Sequence, residues 1–472
     1  NSTNIGEIIK STRGKDLLLF SNFTYRKVHE SKNTSVRWRC TVRTCTAKVY
    51  TSIENIVEIV EIVNEHNGHD QPSIDRKMFS NGCKRKAVEN LYTKPSKILR
   101  TEISENISNL QTITTDDISL VRRNIYNARR KMVPPLPKTM EELQNSISNL
   151  NLKTDLNEQF LLINDPNCHI IIFSCDTNLK VLCESEIIYM DGTFEYCPKL
   201  FTQLFSLHGL CNDHYIPLLF ALLPDKKTST YVNLFKNIIH LCNARELSLK
   251  PNLFISDFEE AIHVALRQVW DDTKIFGCRF HLTQSWYRKI QELGLSNVYQ
   301  NNKTEESKWL NHTFGLPFIS PNEVSNCFIE DFMSSIPNDI RFQKYADYLV
   351  DTYICEEAKF PPIIWAANIA SLSLTTNACE SYHSRFNSEF YHPHPTIYHF
   401  LDVLNGFQTE TLIKIKSIHL KKRNSTKNKI RLETFQQIYE DYRQNKIDRK
   451  GLVSSLSYKY KKNVSKLSII SS

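Results

Sequence analysis

Residues 186–198 read EIIYMDGTFEYCP, and the unbroken apolar run Ile187, Ile188, Tyr189, Met190 leads straight into Asp191-Gly192-Thr193-Phe194. Such a run predicts a buried strand that carries Asp191. A second run, PNLFISDFEEAI at 251–262, places Leu253, Phe254 and Ile255 ahead of Asp257, with a helical pattern from Glu259. Asp257 is therefore expected at the C-terminal edge of a strand. A third stretch, TTNACESYHSRFN at 375–387, lacks strand alternation and sets Glu380, His383 and Asn387 at helical spacing, so that they share one face. Two strand-borne aspartates and one helix-borne glutamate can converge.

Around these acids the runs EIIYMDGTF, KLFTQLFSLHGLC, YIPLLFALLP, TYVNLFKNIIHLC, PNLFISDF, EEAIHVALRQVW and KIFGCRFH order as three strands, then helix, strand, helix, strand. That order fits an α/β ribonuclease-H-like fold, in which the first and fourth strands are neighbours at the sheet centre. The core is expected over 151–285. A helical insertion over 286–365 (KWLNHTF, FIEDFMSSI, RFQKYADYLVDTYI) precedes the Glu-bearing segment 366–413, and 414–472 reads as a basic tail, a helix and a loose end.

The residue types suit the cutting of a phosphodiester backbone. Mg²⁺, or Mn²⁺, is a hard cation that prefers carboxylate oxygens, and two such ions roughly 4 Å apart can activate an attacking oxygen and stabilise a leaving one. Asp191 would be shared between the ions, with Asp257 and Glu380 each completing one site. The attacking group would be water for cleavage and a DNA 3′-hydroxyl for joining. Asp191-Gly192-Thr193-Phe194, Tyr231, Ser256-Asp257, Cys278-Arg279-Phe280-His281 and Thr376-Asn377-Ala378-Cys379-Glu380-Ser381 together resemble the catalytic core of MULE (Mutator-like) transposases, over roughly 180–400. The resemblance implies that Asp191, Asp257 and Glu380 form a DDE-type triad, and that Cys278 and His281 belong to a signature beside it. Two ligands do not close a zinc site, so Cys278 and His281 are expected to lock the turn after Phe276. His383, one helical turn past Glu380, is a candidate contact to phosphate or a packing residue.

The first seventy residues read as short strands, DLLLF, FTYRKVHE, VRWRC, CTAKVY and IVEIVEIV, a small antiparallel sheet. Cys40, Cys45, His66 and His69 flank strand ends and offer two thiolates and two imidazoles, the ligand set of a structural Zn²⁺ site; a sheet this small needs such a staple. Phe20, Tyr25, Trp38, Cys40, Cys45, His66 and His69 resemble a FLYWCH-type zinc finger, here 1–72. Two residues separate the histidines where the pattern has one, leaving open which of them binds.

Residues 73–150 read as a basic helical linker, a DNA-binding face or a solvated connector. Basic clusters lie at Lys84-Arg85-Lys86, Arg122-Arg123, Arg129-Arg130-Lys131 and Lys421-Lys422-Arg423 within a formal charge of +8. At 472 residues, two or three domains are expected. Thirteen cysteines scattered through the chain argue for a reducing compartment. The longest apolar run is too short to span a bilayer and the opening residues hold no signal core, so neither membrane nor secretion is expected. The absent initiator Met reads as a partial frame. The combined expectation is a nuclear DNA transposase acting as a homo-oligomer on double-stranded DNA, at element ends and target. The alternatives are a domesticated, catalytically silent DNA-binding transcription or chromatin factor and a protein-interaction scaffold.

Overall fold

The structure, a computed structural model, describes residues 5–11, 15–21, 23–30, 35–67, 71–105, 113–212, 214–301, 303–367, 377–420 and 426–464. Two units divide it, 1–136 and 137–472. The first opens with β1 (Glu7–Lys10), β2 (Asp16–Phe20), β3 (Phe23–Glu30), β4 (Ser35–Cys40), β5 (Lys48–Ser52) and β6 (Ile59–Val63), each antiparallel to the next in one sheet. Period-2 alternation sends Val36, Trp38 and Cys40 of β4 and Val49 and Thr51 of β5 inward. The buried Trp38 indole N–H donates to Thr51 Oγ1 at 2.9 Å. Ile5 bridges Glu58 and the Gly6 N–H donates to Val57 O at 2.6 Å, so the first edge curls toward the turn before β6.

Helices α1 (Gln71–Glu89), α2 (Pro95–Glu105) and α3 (Thr115–Arg130) follow and close on an apolar cluster of Phe79, Cys83, Ala87, Ile98, Leu99, Val121 and Ile125. A capping box between Thr114 and Asp117 starts α3. Part of the basic charge is held within this unit. Lys86 pairs with Glu102 at 2.8 Å and with Glu105, and Arg129 donates to the carbonyls of Ala87, Asn90 and Thr93. Arg122 and Arg123 remain exposed on α3.

The second unit starts with α4 (Met140–Ser148) and then runs β7 (Leu161–Asp165), β8 (Ile170–Phe173), α5 (Asp176–Glu184), β9 (Ile187–Thr193), β10 (Gln203–Cys211), β11 (His214–Leu223), α6 (Thr228–Asn243), β12 (Leu253–Ser256), α7 (Glu260–Val269) and β13 (Lys274–Gly277). The strands form a mixed sheet in the order β13-β12-β9-β10-β11-β8-β7. β12 lies parallel to both β13 and β9, and the other pairings are antiparallel. Both faces are covered, which is why its strands read as continuous apolar runs. One face packs Ile188, Met190 and Phe205 against Leu234 and Ile238 of α6 and Leu266 of α7. The other packs Ile171, Phe173 and Phe220 against helices that arrive later in the chain.

After β13 the chain is helical: α8 (Arg279–Glu292), α9 (Ser296–Asn301), α10 (Glu305–Thr313), α11 (Pro321–Cys327) and α12 (Ile340–Leu349), then α13 (Asn377–Ser388), α14 (Ile397–Lys416), α15 (Thr426–Arg443) and α16 (Arg449–Val464). Tyr382, Phe386, Phe400 and Leu404 of α13 and α14 cover the second face of the sheet. Trp286, Trp309, Tyr345 and Trp365 anchor a separate helical core. The tail expected over 414–472 is not loose in its described part. Phe435 and Tyr439 of α15 and Leu452, Val453 and Leu456 of α16 complete that core, with apolar residues at three- and four-residue steps among lysines. The Tyr439 hydroxyl donates to Phe318 O at 2.6 Å, and Arg449 reaches Glu330 and Asp331 at 2.6 and 2.7 Å. The cluster Lys421-Lys422-Arg423 lies outside the described residues. Among the described residues no helix is long and apolar enough to cross a membrane, and no cysteine is in a disulfide.

Gly315 tests the seating of α16. A Cβ there would stand 2.1 Å from the Val453 carbonyl oxygen, backbone that no rotamer change can move. Gly315→Ala is expected to lower stability by about 1–3 kcal/mol, read as a fall in the urea midpoint.

Candidate metal centres

Asp191 lies two residues beyond Tyr189 on β9, and Asp257 two residues beyond Ile255 on β12. Tyr189 and Ile255 are partners across the parallel pair, so both aspartates leave the same end of adjacent strands. Glu380 sits in the first turn of α13, next to Cys379, which is buried with Tyr189, Ile255, Phe276 and Cys278 in one apolar cluster. Cys278 is the N-cap residue of α8, and its N–H donates to Ser256 O at 2.7 Å, tying that turn to the strand end that carries Asp257. The imidazole Nε2 of His281, one turn along α8, lies 3.6 Å from Glu380 Oε1. The fold thus brings Asp191, Asp257, Glu380, Cys278, His281 and His383 into one neighbourhood.

The proton affinities follow from that crowding. Burial pushes Asp257 up to about 6, helped by the charges of Asp191 and Glu259. Burial likewise pushes Glu380 up to about 8. At Asp191 burial is outweighed by the hydrogen bond and charge of His383, the charge of His281 and the Gly192 N–H, so its carboxyl lies below the usual range. Burial pulls His281 down, but Cys278, Asp191 and Glu380 overcome it and raise the imidazole to about 10. Asp257 Oδ1 and Glu380 Oε1 are buried with no hydrogen-bond partner. Buried carboxylate oxygens that lack a hydrogen-bond donor and hold their protons above the usual range suit a hard divalent cation, which replaces the proton.

A dependence of stability on pH follows. Asp257 and Glu380 are raised when folded, so above the ordinary carboxylate range the folded chain holds protons that the unfolded chain has released, and rising pH destabilises it. The raised His281 contributes stability present below about 6.5 and lost as pH rises toward about 10, which has the same sign. In chelator the urea midpoint should fall steadily from about pH 6.5, above which the lowered His208 is neutral in both states, to pH 9, a loss of a few kcal/mol at about 1.4 kcal/mol per tenfold change in proton affinity. Added Mn²⁺ should stabilise more at pH 8 than at pH 6.

The sequence offered His383 as a phosphate contact or a packing residue, and the structure buries it with both ring nitrogens engaged. Nδ1 lies 3.1 Å from Asp191 Oδ2 and Nε2 lies 2.9 Å from Ser206 Oγ, which is 2.9 Å from His208 Nε2. Burial drops His208 to about 3, so that ring is neutral. His383 Nδ1–H donates to Asp191 Oδ2, and the Ser206 hydroxyl sits between His383 Nε2 and His208 Nε2, its donor and acceptor roles set by the tautomers of the two rings. The chain holds Asp191 Oδ2, while the Gly192 N–H donates to Oδ1 at 3.0 Å. Ser206 and His208 were missed by sequence reasoning. Their one signal is two polar residues, two apart, in the middle of a largely apolar strand. Ser206→Ala would leave two buried imidazole nitrogens unpartnered and should lower stability by about 1–3 kcal/mol, measurable by urea unfolding.

Among the described residues two groups bring three ligand atoms within 4.8 Å of one another: Cys40, Cys45 and His66, and Cys278, His281 and Glu380. The three acids do not form such a group. In the first, His66 turns Nδ1 toward Cys45 Sγ at 3.4 Å. Its Nε2 meets the Tyr25 hydroxyl at 2.7 Å, and its ring stacks on Phe23 with centroids 3.5 Å apart. Two buried thiols and an imidazole with its second nitrogen engaged fit zinc. His69 lies outside the described residues.

Residues 187–285 match the family model of the MULE transposase domain, and residues 8–68 that of the FLYWCH zinc finger domain. Both resemblances read from the residues are therefore found, and the finger supports Zn²⁺ at Cys40, Cys45 and His66. Glu380 lies beyond the matched MULE segment. No curated protein matches the chain. The two matched domains suggest a transposase-related DNA-binding protein.

Proposed function

We propose that this chain is a Mutator-like DNA transposase that cuts and joins DNA strands at a centre formed by Asp191, Asp257 and Glu380. The observation that carries the reading is the convergence of Asp191 and Asp257, at strand ends of the MULE-matched segment, with Glu380 of α13, where Asp257 and Glu380 each hold a buried oxygen that lacks a hydrogen-bond partner. The β9–β12 parallel pair in a mixed sheet supports a ribonuclease-H-like catalytic core. Mg²⁺ or Mn²⁺, when bound, supplies activation of the attacking oxygen and stabilisation of the leaving one. Asp257 and Glu380 would hold it through their buried carboxylate oxygens, and Asp191 through a carboxylate already oriented by His383 and the Gly192 N–H. The zinc finger and the exposed basic residues of the first unit would grip double-stranded DNA at element ends and target, so binding should weaken steeply with salt. Joining two ends calls for a homo-oligomer, and the work belongs in the nucleus.

Incubation of supercoiled plasmid with the purified chain and Mn²⁺ or Mg²⁺ tests this. Metal-dependent nicking is expected. Salt-sensitive DNA binding without nicking or Mn²⁺ binding would replace the reading with a domesticated DNA-binding factor.

A further inference from the structure

We propose that Cys278, His281 and Glu380 form a second transition-metal site, for a cation of the zinc class, and that such an ion competes with the cleavage centre for Glu380. The ligand atoms of the three residues lie within 4.8 Å of one another. Cys278 opens α8 and His281 follows three residues later, so helical spacing puts both on one face. Glu380 meets that face from α13, its Oε1 3.6 Å from His281 Nε2. Ligands about 2.0–2.3 Å from a tetrahedral ion stand roughly 3.3–3.7 Å apart, so the imidazole–carboxylate separation already suits a shared ion better than a direct hydrogen bond.

A second observation points to a ligand here. Glu380 Oε1, the oxygen that faces His281 Nε2, is buried with no hydrogen-bond partner, in a site whose third member is a fully buried cysteine. Thiolate, imidazole and carboxylate select a borderline-soft ion over Mg²⁺, and three protein ligands leave one position open. The finger is a separate site in the first unit.

The competition rests on the role given to Glu380 above; the site itself does not. A hard cation would draw the Glu380 carboxylate toward Asp191 and Asp257, and a zinc-class ion would draw it toward Cys278 and His281. Zinc would then oppose Mn²⁺ at the centre.

The test is metal stoichiometry of the full chain, stripped and titrated with Zn²⁺ or with Co²⁺, whose thiolate charge-transfer absorption reports sulfur ligation. Wild type should take two equivalents, and Cys278→Ser one. A Cys40→Ser/Cys45→Ser double variant, which leaves Cys278 in place, should still take one equivalent of Co²⁺ with a one-thiolate spectrum and lose it with Glu380→Gln. One equivalent in wild type, two in folded Cys278→Ser, or none in the double variant would overturn the site. These readings stand whether or not the chain cuts DNA. A second Zn²⁺ equivalent should also weaken Mn²⁺ binding in wild type at least tenfold. Two equivalents of zinc that leave Mn²⁺ affinity unchanged would overturn the competition.

Discussion

Asp191→Asn and Glu380→Gln are each expected to leave supercoiled plasmid intact under conditions in which the wild-type chain nicks it, a loss of about 4 kcal/mol of transition-state stabilisation or roughly a thousandfold in rate. Both substitutions keep side-chain shape and remove charge. In Asp191→Asn the amide oxygen can still accept from His383 Nδ1–H, so the chain through Ser206 to His208 survives and the strand end stays in place. Glu380→Gln removes a carboxyl that burial already holds protonated up to about 8, so the folded variant should be no less stable than wild type at pH 8 in chelator. Loss of nicking with stability kept would assign the defect to chemistry. Nicking by either variant near the wild-type rate would remove that acid from the centre, and lost stability would show that the acid serves the fold.

The mixed sheet of the second unit was legible where burial on both faces writes itself as apolar runs. Ile187 to Met190 and Leu253 to Ile255 became the adjacent strands β9 and β12, and helical spacing at Glu380 became α13. The relay from Asp191 to His208 was not legible, because a lone serine and histidine in an apolar strand gain meaning only when α13 lays His383 beside them. The association of Glu380 with Cys278 and His281 was hidden for the same reason, since the helices α9 to α12 intervene in the sequence and only the packed fold brings α8 and α13 together. At the C-terminus composition misled. Lysines dominate the count, while the few apolar residues at helical spacing decide where α15 and α16 dock. In the finger, strands and cysteines were readable, but which histidine faces the thiols depended on Tyr25 and Phe23, which hold the His66 ring.

Stripping zinc, or Cys45→Ser, is expected to unfold the β1–β6 module and leave the second unit folded. The module's buried apolar set is small: Leu18, Tyr25, Val36, Trp38, Cys40, Cys45, Ala47, Val49 and Ile59, and two of these nine are the ligating cysteines. Strands of four to eight residues with so few aliphatics bury too little surface to offset chain entropy, so the metal carries the difference. For zinc-finger peptides binding is worth about 10–16 kcal/mol and serves as folding free energy, far more than such a core supplies. Hydrogen exchange should show β2 to β5 losing protection in chelator while β9 and β12 keep theirs, since the latter belong to a separate unit with its own core. Tyr25→Phe should weaken zinc about 10–100-fold without abolishing it, because it removes the hydroxyl that orients His66 and leaves all three ligands in place. Full protection of β2 to β5 in the stripped protein would mean that the sheet stands on its own packing and that the ion only trims the loop ends; loss of protection reversed by Zn²⁺ and not by Mg²⁺ would tie the fold of the finger to its thiolates.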